Sequence, residues 1–244
     1  MKKLSILLTT VLVIIASTFC TSQNVKKARA NTLTKKEIKQ GWQLLFDGKT
    51  LNGWKGYNHN ECGARWTVQK GDLVCLGEGG GMGYDIITTQ KFSNFELSLD
   101  WKISPQGNSG IFYHVVEDAA FGNPYECSPE YQLIDDLGWP DKLEEWQKTG
   151  ADYAMTIPDA TVKKLNPVGE WNTSKIVFNN GHVEHWLNGV KILEFTAWND
   201  EWNKKRTEGK WKDYPAYGQA RKGSIGLQNH GSMIWFRNIK IRPL

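Results

Sequence analysis

The sequence predicts an all-β fold, an antiparallel β-sandwich of two sheets with short helical insertions. Three observations predict it. Short runs of alternating apolar and polar residues recur from Trp42 onward, the period of a strand with one buried face. Turn dipeptides separate the runs: Asn52-Gly53, Lys70-Gly71, Asn180-Gly181, Asn188-Gly189 and Lys222-Gly223. The chain has 244 residues, 40% of them hydrophobic, with no internal repeat or low-complexity tract. That is enough for one large domain with a real core.

In chain order, Lys2-Lys3 and the apolar run 4–19 read as a signal peptide over residues 1–20. Two ends of that leader are open. Ala28-Arg29-Ala30 matches a small-x-small cleavage site, and Cys20 stands where a bacterial lipoprotein would be cut and lipidated. The chain is therefore expected to be exported: periplasmic or held at the outer membrane by a lipid on Cys20, or secreted. No second apolar stretch is long enough to span a bilayer. Residues 21–40 are polar and Lys-rich, a tether in which Thr34-Lys35-Lys36-Glu37 fits a capping box.

Residues 41–244 form the expected sandwich. Its strands are read over 72–76, 92–103, 109–116, 131–134, 171–178, 182–187, 224–227 and 234–241. The run 182–187 lies between two Asn-Gly pairs, a strand framed by tight hairpin turns. Residues 135–165 and 199–220 break the rhythm and read as ordered insertions, because Trp139, Trp146, Trp198, Trp202 and Trp211 lie in or beside them. The tract Gly77-Glu78-Gly79-Gly80-Gly81-Met82-Gly83 lacks the Lys-Ser/Thr of a phosphate loop and reads as a flexible edge loop.

Charge narrows the function. The net +4 invites nucleic acid, but residues 1–30 carry five cations and no acid, so residues 31–244 sum to −1. A basic interface has no support in that part. Cys62, Cys75 and Cys127 remain beyond the leader. A Cys62–Cys75 disulfide and three buried thiols are both open readings. No CxxC, HExxH or GxSxG occurs.

Alternation gives the sharpest site argument. Glu130 and Gln132 share one strand face; Asn108, Gly110, Phe112 and His114 share another; Gly226, Gln228 and His230 a third. Aligned, these faces place carboxylate, amide and imidazole groups on one sheet surface, as sugar recognition needs. The alternative is a solvated outer face. His114, Glu130 and His230 are also a weak divalent-metal set; otherwise no cofactor is indicated.

An ordered series of motifs resembles the 3-keto-disaccharide hydrolase domain family. It begins with Gly41-Trp42-Gln43-Leu44-Leu45-Phe46-Asp47-Gly48 and continues through Asn108-Ser109-Gly110-Ile111, Glu130-Tyr131-Gln132-Leu133-Ile134-Asp135 and Trp186-Leu187-Asn188-Gly189. It ends with Ile225-Gly226-Leu227-Gln228-Asn229-His230-Gly231 and Phe236-Arg237-Asn238-Ile239. The resemblance implies a concanavalin A-like jelly roll acting on 3-keto-glycosides. His114 stands where an Arg is expected. The implied chemistry is C2 proton removal, β-elimination of the aglycone and hydration. Glu130 is the candidate base, with His230 the alternative base or the acid. Asn108, His114, Gln132 and Gln228 are candidate substrate ligands. Arg237 is a candidate for stabilising charge, or a strand salt bridge. Trp171 and Tyr153 are candidates for stacking on the sugar, or core residues. The competing class is a lectin-like glycan-binding module without catalysis.

Overall fold

The computed structural model describes residues 29–77 and 83–244. The leader of residues 1–20, Cys20 and the centre of the glycine tract lie outside the described residues.

Thirteen strands and two α-helices are described, with three short 3-10 turns. In order they are α1 (Lys35–Lys39), β1 (Gln43–Leu44), β2 (Trp54–Gly56), β3 (Trp66–Gln69), β4 (Asp72–Leu76), β5 (Ile86–Thr88), β6 (Phe95–Ile103) and β7 (Asn108–Val115). They continue with β8 (Glu130–Ile134), β9 (Asn172–Asn179), β10 (His182–Leu187), β11 (Val190–Thr196), α2 (Asp200–Glu208), β12 (Ser224–Leu227) and β13 (Met233–Pro243). Every pairing is antiparallel. A large sheet runs β11-β10-β9-β6-β13-β4-β3, with β1 against β13; a five-stranded sheet runs β2-β5-β12-β7-β8. The chain crosses repeatedly between the sheets, as in a jelly roll.

Alternation explains the core. In β6, Phe95, Leu97, Leu99, Trp101 and Ile103 are buried, while the residues between them are partly exposed. They pack in one cluster with Ile111, Tyr113, Tyr131, Leu133, Ile225 and Leu227 of the smaller sheet. Each such side chain contributes about 1.5–3 kcal/mol through burial. The Asn-Gly pairs flanking β10 turn as expected: φ is 50° and 87° at Asn180 and Gly181, and 49° and 83° at Asn188 and Gly189. Positive φ at both central residues is the hairpin geometry that matches strand twist.

One expectation changes and one open reading is decided. Thr34 and Glu37 form the capping box of α1, but the described part of the presumed tether is docked. Asn31 N–H donates to Asn238 Oδ1 and Asn238 N–H to Asn31 Oδ1, each at 2.7 Å, and Lys240 pairs with Glu37. The three described cysteines are buried free thiols, so Cys62 and Cys75 are not bonded to each other. Among the described residues no helix is long and apolar enough to cross a membrane.

Candidate active site

The site rests on the outer face of the five-stranded sheet. Partners in register place Gly226 opposite Phe112 and Phe112 opposite Glu130; the next row carries Gly110 opposite Gln132, and the next Asn108 opposite Ile134. Gln228 N–H donates to Gly110 O at 3.0 Å, which sets Gln228 beside Gly110 in the middle row. Neighbours in register point to the same side. Tyr131 and Leu133, between the polar positions of β8, point into the core.

Above these rows lies a cavity of about 280 Å³, lined by Asn108, Tyr125, Glu130, Gln132, Tyr153, Lys210, Trp211, Tyr214, Gln228 and His230. The polar floor comes from three strands, as alternation predicts. The walls come from both insertions. Lys210 Nζ donates to Tyr153 Oη at 3.1 Å and lies 4.2 Å from the centre of that ring. Trp211 stacks on buried Tyr217 at 4.1 Å, so the core holds its plane.

Gly110 makes the room for Glu130. A Cβ on Gly110 would stand 2.0 Å from Glu130 Oε1. The carboxyl therefore leans over the next strand, and Glu130 is only 4% exposed. Burial pushes its pKa up to about 8; Asp85 and Asp152 push the same way, and Lys210 opposes them. Around it, Asn108 Oδ1, Gln132 Oε1 and Gln228 Oε1 are buried without a hydrogen-bond partner. Each such oxygen costs about 1–3 kcal/mol until something donates to it. Three of them around one carboxyl suit a ligand that brings several hydroxyl groups.

Asn108, Glu130, Gln132, Tyr153, Gln228 and His230 are thus brought together. Three other expectations are corrected. His114 faces the core. Ser224 pairs with Val115 but Gly226 with Phe112, so Tyr113 and His114 together oppose Ile225. This bulge breaks the alternation, and His114 has φ 57°. Its ring lies 4.3 Å from Phe178 and its Nε2 2.7 Å from Ser93 O. Burial lowers its pKa to about 4. The metal set of His114, Glu130 and His230 is therefore not assembled. Trp171 and Arg237 belong to the other sheet. The Arg237 guanidinium stacks 3.8 Å from the Trp171 ring centre, and its Nε lies 3.4 Å from Asp100. Arg237 forms the strand salt bridge, and Trp171 serves as its platform.

Lys210, Trp211 and Tyr214 were not anticipated as site residues, the aromatic content of the insertions being their only sequence signal, and Tyr125, outside both insertions, had none. Asp85 was also missed. It precedes β5, whose Ile86 and Ile87 oppose Leu227 and Gly226. One further pair of that register sets Asp85 opposite Gln228.

Among the described residues, the cluster His182, Glu184 and Glu194 has metal-ligand spacing, but it is on the surface and Lys191 pairs with both acids. A second cavity, of about 330 Å³, opens beside Trp101, Ile103 and Leu165. It is mainly apolar, and its Asp136 and Lys163 neutralise each other.

Residues 41–242 match the 3-keto-alpha-glucoside-1,2-lyase-like domain. A Bacteroides thetaiotaomicron protein named 3-keto-disaccharide hydrolase is 36% identical over 250 residues, spanning 91% of this chain and 85% of its own length. A crystal structure from Parabacteroides distasonis, of a protein classed by inference as a glycosyl hydrolase, is 42% identical with a TM-score of 0.81. It covers 88% of this chain and 100% of that one. Another from the same organism, classed the same way, is 30% identical with a TM-score of 0.63, covering 83% and 99%.

Proposed function

The chain belongs to the 3-keto-alpha-glucoside-1,2-lyase-like domain family, and from that premise we propose that this glycoside-active enzyme cleaves 3-keto-glycosides by β-elimination followed by hydration. The observation that carries the reading is Glu130, a buried carboxyl set over Gly110 among three unpartnered amide oxygens.

A ketone at C3 acidifies the proton on C2. Ionised Glu130 takes that proton, and the enolate's electrons re-form the C3 carbonyl while the C1–O bond breaks. Water then adds to C1 of the enone. The amide carbonyls of Asn108, Gln132 and Gln228 accept from ring hydroxyls. Their NH₂ groups and the Lys210 ammonium supply donors for the enolate oxygen. Tyr153 and Trp211 offer ring faces to the sugar and aglycone. Direct hydrolysis of an ordinary glycoside relies on two carboxyls without help from a ketone; the elimination route starts from a base matched to an acidified C–H, and a poor leaving group then also needs a proton. The leader over residues 1–20 supports action after export.

The test is release of aglycone from 4-nitrophenyl 3-keto-glucoside and from a 3-keto-disaccharide, beside their unoxidised parents. Release from the keto forms only is expected, with Glu130→Gln losing about 10²–10⁴-fold in kcat and His230→Ala slowed. Full turnover by Glu130→Gln would sink the assignment. Binding without release would favour the lectin reading.

A further inference from the structure

Elimination leaves one demand unmet: the departing glycosidic oxygen of an ordinary sugar needs a proton. Resting on the function proposed above, we propose that Asp85, set behind the Gln228–His230 edge of the cavity, is the acid that supplies it.

The sheet register carries the argument. Asp85, the residue before β5, and Gln228, the residue after β12, extend the pairs Ile86–Leu227 and Ile87–Gly226 by one step, and Gln228 in turn bonds Gly110, which pairs with Gln132. Adjacent positions in a row share a face. Asp85 therefore projects to the side that carries Gln228 and Gln132. Its carboxyl is fixed there, because Asn229 N–H donates to Asp85 Oδ1 at 2.8 Å. Asn229 lies between Gln228 and His230, both of which line the cavity. Asp85 Cα is two strand spacings, about 10 Å, from Gly110 Cα, and the Glu130 carboxyl hangs over Gly110.

Asp85 is half-buried, and burial holds its carboxyl well above the usual carboxylate range against the pull of the Asn229 N–H. Each negative charge disfavours the other. The charge of Asp85 raises Glu130, and it also raises Tyr125 and Cys75. Lys210 and Asp152 act on Glu130 from the opposite side. Such a pair holds one proton between its two carboxyls over a range of pH, and the elimination runs from the form in which that proton is on Asp85.

The cycle closes. Glu130 gains the C2 proton while Asp85 gives its own to the leaving oxygen, which takes the C1–O electron pair. Asp85 then takes a proton from water as the oxygen adds to C1, and Glu130 returns its proton to C2. One water is consumed, and both carboxyls end as they began.

The experiment compares two leaving groups. 4-Nitrophenolate departs without a proton; a sugar alkoxide does not. Asp85→Asn is expected to lose about 10²–10⁴-fold on a 3-keto-disaccharide yet stay within several-fold of wild type on 4-nitrophenyl 3-keto-glucoside. It should still exchange the C2 hydrogen of the disaccharide with D₂O. The limb of its pH profile governed by Glu130 should move to lower pH, because a neighbouring negative charge is gone. Equal loss on both substrates, no loss on either, or loss of C2 exchange overturns the proposal. Asp85→Ser is read in the same way if the amide variant does not fold. A wild-type enzyme that releases nothing from either keto substrate marks failure of the function reading and is seen without any variant.

Discussion

Glu130 is held neutral by its surroundings over a range where an exposed carboxyl is ionised, and this couples stability to pH. Its pKa rises from 4.5 to about 8 on folding. Between those values the unfolded chain releases a proton that the fold retains, so stability falls as pH rises through that window. Glu130→Gln removes this slope. Thermal melts should show the variant more stable than wild type at pH 8, by about 1–4 kcal/mol, and nearly equal at pH 4. Parallel curves would refute the assignment of that carboxyl as a buried neutral acid. His114 and His185 act in the opposite sense. Burial lowers both to about 4 from 6.5, so their contribution is lost as pH falls through that range.

Lys210 and Gly110 test the same carboxyl from two sides. Lys210 lowers the pKa of Glu130, so Lys210→Met should move the ascending limb of kcat/KM to higher pH, opposite to the shift expected for Asp85→Asn. Gly110→Ala puts a methyl where Glu130 Oε1 now lies. Its kcat should fall toward that of Glu130→Gln. Kinetics on the 3-keto substrate with a parallel melt separate this displacement from unfolding.

At the scale of elements, the hairpins were the most legible feature of the sequence. An Asn-Gly pair has one low-cost conformation between twisted strands, and both pairs adopt it. Gly189 has φ 83°, and a methyl added there would meet nothing within 4 Å. Gly189→Ala should therefore cost about 1 kcal/mol through backbone strain alone, with kcat and KM unchanged; a chemical denaturation midpoint and a rate assay check this. Alternation failed at β7 for a physical reason. It counts residues, and one bulge residue between Phe112 and Val115 reverses the count, so His114 turned inward. Alternation also cannot tell one outer sheet face from the other. Trp171 and Arg237 read as sugar ligands because the outer face of the large sheet carries aromatic and charged side chains too.

For the whole molecule, the sandwich follows from local pattern, but the site follows from assembly. Its polar floor was legible because Asn108, Glu130, Gln132 and Gln228 share strand parity with neighbours in register. Asp85 was not legible, since its place depends on which strand pairs with β12. The walls were visible only as an excess of aromatic residues in two insertions. The side chains that form them, Tyr153 and Lys210 with Trp211 and Tyr214, meet only when both loops fold over the same sheet.

The reciprocal clasp between Asn31 and Asn238 has a geometric consequence. Arg29, Thr32 and Glu37 share a surface groove with Ser98, Asp100, Thr173 and Lys240 on the outer side of the large sheet, whereas the cavity opens from the other sheet. The chain thus enters the body from behind. Whatever precedes Arg29 joins the body on the side away from the cavity, so the described start of the chain does not stand between the mouth and an arriving glycoside.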